Sequence, residues 1–141
     1  MSPVPPLSLY HEYRYYKRLL SMQCKDLKLP KKITDFVLKF YTVLTYKIWK
    51  KEISLEPATY QVVALVSIYQ ASKMKKFKIS LKNLTKKLKK ITYYQLALQY
   101  NKEYEEKVNF KTIKYIEEEY KKIEEEYRKK GKKLKRRRWQ Y

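Results

Sequence analysis

A single glycine, Gly131, and five prolines, three of them in the first six residues, are all the chain breakers in a sequence of 141 residues. A sheet-rich fold needs many turns, and turns draw on glycine and proline, so this scarcity favours long helices. Between the breaks, apolar residues recur at helical spacing. "LYHEYRYYKRLLSMQCKDL" carries Leu9, Tyr13, Tyr16, Leu20 and Cys24 on one stripe, with Ser8 placed to cap it. Leu29-Pro30 ends that segment, because the residue before proline is pushed out of the helical region, and Pro30 suits the start of the next helix. "KKITDFVLKFYTVLTYKIWKKE" then sets Ile33, Phe36, Val37, Phe40, Tyr41, Leu44 and Ile48 on a broad stripe. "ATYQVVALVSIYQASKMKK", behind Pro57, is apolar on nearly every side from Val62 to Tyr69, the mark of a helix surrounded by others. Ser80 is positioned to cap "LKNLTKKLKK", and Thr92 with Gln95 makes a capping-box pattern at "TYYQLALQYNKEYEEKV". A last helix, "FKTIKYIEEEYKKIEEEYRKK", is expected to close at Gly131. The pattern predicts an all-α fold of six helices with no strand.

The length suits one compact domain, and 44% apolar residues can supply its core. The chain divides into an extended, proline-stiffened arm (1–7), a helical domain (8–107), a charged C-terminal helix (108–131) and a basic tail (132–141). Within the charged helix, "EEEYKKI" and "EEEYRKK" echo each other at heptad spacing. Ile116, Tyr120, Ile123 and Tyr127 form a narrow seam there, flanked by Glu117–Lys121 and Glu124–Arg128 pairs. Two heptads are too short to establish a coiled coil, but the seam is the candidate site for self-association into a homo-oligomer.

Charge narrows the function. The formal net charge is +21, from 35 Lys and Arg against 14 Asp and Glu, which favours a polyanion as partner. The two signs are also segregated. No acid occurs from Pro57 to Lys102, whereas nine of the fourteen lie between Glu103 and Glu126. Ordinary solvated faces mix both signs, so the acid-free stretch is expected to face something negative. The tail "RKKGKKLKRRRWQY" adds a second basic block, expected to be disordered alone and to track phosphates. Its Lys132, Lys133, Lys135, Arg136, Arg137 and Arg138 are candidate contacts, with Trp139 and Tyr141 able to stack on bases. Most of the sixteen tyrosines are expected to pack as core or boundary aromatics.

Catalytic chemistry finds no footing. The one histidine, His11, sits among tyrosines, and the one cysteine, Cys24, falls on an apolar stripe and reads as a buried thiol. No metal-binding spacing, glycine-rich phosphate loop or nucleophile elbow occurs, so neither an enzyme nor a cofactor is expected. A lone cysteine allows no internal disulfide and fits a reducing compartment. No signal-peptide pattern and no membrane-length apolar run is present, which points to an intracellular location (cytoplasm or nucleoid) or the inside of a virion. Abundant Lys, Glu, Tyr and Ile resemble the composition of hyperthermophile proteins.

The helices in series, "LKLPKKITDFVLKFY", "PATYQVVALVSIYQASK" and "KISLKNLTKKLKKITYYQLALQY", resemble one cyclin-type repeat of transcription factor IIB and its archaeal counterpart. The matching positions are Leu27, Leu29 and Pro30; Val63, Ala64, Ile68, Tyr69 and Ala71; Ser80, Leu81 and Leu84; and Tyr100. The likeness covers about residues 10 to 105. It implies a cyclin-like bundle of about five helices, here followed by a C-terminal helix and basic tail. The family carries two such repeats and a zinc ribbon, and this chain has one repeat and a single cysteine. Contacts made by the ribbon or by paired repeats do not carry over.

In that family the fourth and fifth helices form a helix-turn-helix that meets promoter DNA. The likeness places Thr92, Tyr93, Gln95 and Gln99 at the groove and Lys82, Lys86, Lys87, Lys89 and Lys90 at phosphates. The chemistry agrees, since Gln can bond adenine at two points and Lys suits phosphate as a point charge. The expected function is a transcription-factor-IIB-like regulator binding duplex DNA. Rival readings of the same residues are a DNA-coating protein, as in filamentous archaeal viruses, an adaptor docking on RNA polymerase or the TATA-binding protein, and an RNA-binding protein.

Overall fold

The computed structural model describes the backbone of residues 7–56 and 58–139 and the side chains of 13–56 and 58–129. The expectations for residues 1–6 of the arm, for Pro57, for the side chain of His11 and for the side chains of the tail lie outside the described residues. Leu7 is already helical, so Ser8 lies inside the first helix and does not stand before it as a cap. Six α-helices follow one another: α1 (Leu7–Asp26), α2 (Lys31–Trp49), α3 (Tyr60–Met74), α4 (Leu81–Lys87), α5 (Tyr94–Lys107) and α6 (Ile113–Trp139), with a 3-10 turn at Ile91–Tyr93. Among the described residues there is no strand. No described helix is long and apolar enough to cross a membrane.

The apolar stripes become the core. On α2, Ile33, Phe36, Val37, Phe40, Tyr41 and Leu44 are buried, as are Leu20 and Cys24 on α1. Helix α3 is buried from Val62 to Ile68 and again at Gln70 to Ser72, and it touches α1, α2, α4 and α5. A helix apolar on all sides has no stable place except among others, which explains its central position. Ser80 caps α4 as the sequence predicts, its hydroxyl accepting from the Asn83 amide at 3.1 Å.

Helix ends depart from expectation in an instructive way. Four lysines, Lys28, Lys51, Lys76 and Lys89, adopt left-handed φ of 55° to 60° just after α1, α2, α3 and α4. Each is followed by an amide that reaches back five residues, as Leu29 to the Cys24 carbonyl at 3.1 Å and Lys90 to the Thr85 carbonyl at 2.7 Å. These are Schellman-type closures that usually recruit glycine. Here a lysine occupies the position, and its charge complements the negative end of the helix dipole. Gly131, by contrast, lies inside α6, and the helix runs on through the basic segment to Trp139. The expected closure at Gly131 is therefore wrong, and so is the tail as a segment without structure of its own backbone.

Helix α6 is also no separate appendage beyond residue 107. Ile116, Ile123 and Tyr127 are buried against the same core as the other helices, chiefly through α2, and Tyr120 packs at its edge. The seam expected to pair two chains is covered by this chain itself. Aromatic packing reinforces the contact: Tyr13 stacks on Tyr127 at 4.6 Å, and Tyr46 meets the same ring edge-on at 6.1 Å. Burial pushes the Tyr127 hydroxyl up to about 12.

Candidate nucleic-acid interface

Helix α4, the closure at Lys89 and the 3-10 turn form a short helix, a bend and then α5. Leu81, Leu84 and Thr85 face inward from α4, while Ala97, Tyr100 and Tyr104 do so from α5. The Thr85 hydroxyl is satisfied on its own helix, donating to the Lys82 carbonyl at 2.7 Å. With this inward set fixed by packing, the remaining positions must point out. Lys82, Lys86, Lys87 and Lys89 are exposed and Lys90 is partly so. Thr92, Gln95 and Gln99 are exposed as well, whereas the Tyr93 ring packs partly against the core. Of the expected positions, Lys82, Lys86, Lys87, Lys89, Thr92, Gln95 and Gln99 are thus exposed, and Lys90 and Tyr93 are half-buried.

The capping box does not form. Thr92 lies within the 3-10 turn and α5 starts two residues later, with no side chain bonding its first amides. The tight closure at Lys89 leaves too short a span for Thr92 to stand outside the helix and reach back.

The charge balance is decided by α6. Glu124, expected to pair along its helix with Arg128, accepts instead from Lys17 of α1 at 2.7 Å and from the Tyr13 hydroxyl at 3.2 Å. Burial opposes ionisation of Glu124, but these bonds and one from Tyr120 outweigh it and hold its carboxyl below the usual range. Glu119 accepts from Lys47 at 2.8 Å, and Glu126 from the Tyr46 hydroxyl. Burial works against the Lys47 ammonium, yet its bonds to Glu119 and Glu52 prevail and raise its pKa. Glu124 and Glu119 of α6 therefore neutralise Lys17 of α1 and Lys47 of α2, while Glu118 and Glu125 pair along α6 with Lys114 and Lys129. Among the described residues, Lys82, Lys86, Lys87, Lys89 and Lys90 take part in no ion pair.

Helix α5 is anchored near its C-terminal end. The buried Gln70 amide donates to Asn101 at 2.6 Å and to Glu105 at 2.9 Å. That bond, with Lys73 at 3.5 Å, lowers the pKa of Glu105 against its partial burial. The first half of α5, free of acids, packs inward through Ala97 and Tyr100 and leaves Gln95, Leu96, Leu98 and Gln99 exposed. Sequence reasoning missed the exposed apolar residues here, Ile91 of the 3-10 turn and Leu96 and Leu98 of α5. The signal was present, since they fall off the inward stripe of Ala97, Tyr100 and Tyr104.

The basic tail residues from Lys132 to Arg138 continue α6 as helical backbone, and their side chains lie outside the described residues. Among the described residues no group of three or more His, Cys, Asp or Glu side chains is placed to hold a metal ion. Cys24 is fully buried, and burial pushes its thiol up to about 12 despite a bond from Thr34. No family model, no curated protein and no solved structure matches the chain.

Proposed function

We propose that this chain is a single cyclin-type domain that binds duplex DNA through α4, the following turn and the first half of α5. In that role it acts as a regulator of transcription in the manner its likeness to transcription factor IIB implies. The observation that carries this reading is the uncompensated charge of Lys82, Lys86, Lys87, Lys89 and Lys90 on a surface with no acid from Pro57 to Lys102. Leaving that many ammonium groups clustered without counter-charge costs the fold self-repulsion, which a polyanion relieves. The order of helices and the burial of α3 support the cyclin-type architecture. The covered seam on α6 weighs against the self-association reading that relied on it.

The test is binding to duplex DNA, duplex RNA and single strands across a salt series. Five phosphate contacts give a slope of log affinity against log salt of about −4 to −5, or a loss of roughly 500-fold between 50 and 200 mM salt. Replacing Lys86 and Lys87 by Ala should make the slope shallower by about two. A slope near zero refutes the reading. An unchanged slope in the double variant refutes the placement of the surface, and preference for RNA refutes the choice of DNA.

A further inference from the structure

Among the described residues six large hydrophobic side chains are exposed, and three of them, Ile91 (56%), Leu96 (55%) and Leu98 (38%), fall within the eight residues that span the 3-10 turn and the start of α5. Thr92, Gln95 and Gln99 are the other outward side chains of this stretch. On a helix, residues three and four apart are neighbours, so Gln95 lies beside both Leu98 and Gln99, and Leu96 beside Gln99. Neither an arginine nor an acid occurs from Ile91 to Asn101.

Each of these side chains has a definite preference in a major groove. A glutamine amide donates and accepts at once, matching the N6 amino group and N7 of adenine, and aliphatic groups pack on the C5 methyl of thymine. Guanine is read by Arg or Lys at O6 and N7, and cytosine by a carboxylate at N4. We propose that the outward face of the first half of α5 reads A·T base pairs, Gln95 and Gln99 bonding adenine and Leu98 packing on a thymine methyl. This rests on the duplex-DNA reading above and adds the class of base pair recognised. It also gives the exposed aliphatic side chains an apolar partner, which a phosphate surface alone does not offer.

The length of the reading stretch follows from charge. Lys102 is succeeded by Glu103, Glu105 and Glu106, and carboxylates so placed repel the phosphates lining a groove. The face that can enter therefore ends near Gln99, and the lysines of α4 and its turn lie on the other side of it in sequence, where they can hold the backbone and fix the register.

The full chain should be used to select from randomised duplexes at about 0.15 M salt, and the enriched site then altered atom by atom. An A·T-rich core is expected. Replacing a contacted thymine by deoxyuridine removes only the methyl group and should weaken binding about three- to five-fold. Replacing a contacted adenine by 7-deazaadenine removes the N7 acceptor and should cost about ten-fold. Leu98→Ala should erase the thymine–uracil difference, and Gln95→Ala or Gln99→Ala the adenine–deazaadenine difference at one position. All three positions are exposed, so unchanged circular dichroism is expected to show intact folding. A G·C-rich site, or an A·T site whose penalties persist in the variants, overturns the inference. Duplex binding without enrichment overturns base reading and leaves DNA binding standing, whereas no binding to any duplex overturns both.

Discussion

Ile123 separates a helix that completes its own domain from a helix that pairs two chains. Its side chain is 4% exposed and belongs to the core shared with α2. Truncation to Ala removes most of a buried aliphatic side chain and leaves a cavity, a loss of about 3 kcal/mol. A chain of 141 residues has an unfolding entropy of roughly 0.3 kcal/mol per kelvin, so the midpoint should fall by about 10 °C. Ile123→Glu should cost more, because the carboxylate would be desolvated with no partner at that depth. Differential scanning calorimetry on Ile123→Ala, with sedimentation of the wild type from micromolar to near-millimolar concentration, gives the measurement. The expected result is a large loss of stability that does not depend on protein concentration. A variant that melts as the wild type does, together with a wild-type dimer that the substitution dissociates, would refute the intramolecular seam.

Three further outcomes follow from the same structure. Lys76→Gly, at a left-handed helix closure, should leave stability unchanged or raise it by up to about 1 kcal/mol, whereas Lys121→Gly inside α6 should cost about 1 kcal/mol; urea unfolding of both variants checks the opposite signs. The carboxyls of Glu105, Glu119 and Glu124 have pKa values lowered below the unfolded value of about 4.3, so their contribution is complete above that pH and is lost as pH falls through the folded values. The melting temperature should therefore drop below about pH 4, less steeply in Glu124→Gln, and a wild-type profile that is flat down to pH 2 would contradict the ion pairs. Cys24 should resist an aromatic disulfide reagent at pH 8 in the native protein and react fully in denaturant, since its thiol is buried with a pKa of about 12; prompt native reaction would place it at the surface.

Local rules made several elements legible in the sequence. Pro30 stands at the N-cap of α2, outside its first turn, where its carbonyl accepts from the Ile33 and Thr34 amides, and Ser80 caps α4 because its hydroxyl can reach the Asn83 amide without help from elsewhere. The inward stripes of α2 and the all-round burial of α3 follow from spacing alone, as does the outward direction of Gln95, Gln99 and the lysines of α4. The exposure of these positions was therefore readable, while the half-burial of Tyr93 and the loss of the Thr92 cap were not.

What the sequence by itself determined was which residues are apolar, where they recur and where the charge is one-sided. What covers an apolar stripe was decided only by the tertiary structure. The seam of Ile116, Ile123 and Tyr127 looks the same on paper whether a second chain or α2 of the same chain lies against it, because periodicity describes one helix and burial needs two. The lysines in left-handed closures are of the same kind: no local preference selects Lys28, Lys51, Lys76 or Lys89, and the backbone turns there because the next helix must return to the core. The destination of two α6 acids was likewise set by packing, since Glu124 meets Lys17 and Glu119 meets Lys47 across a helix interface, Glu119 while also pairing with Lys122 on its own helix. That tertiary choice leaves the lysines of α4 and its turn without counter-charge.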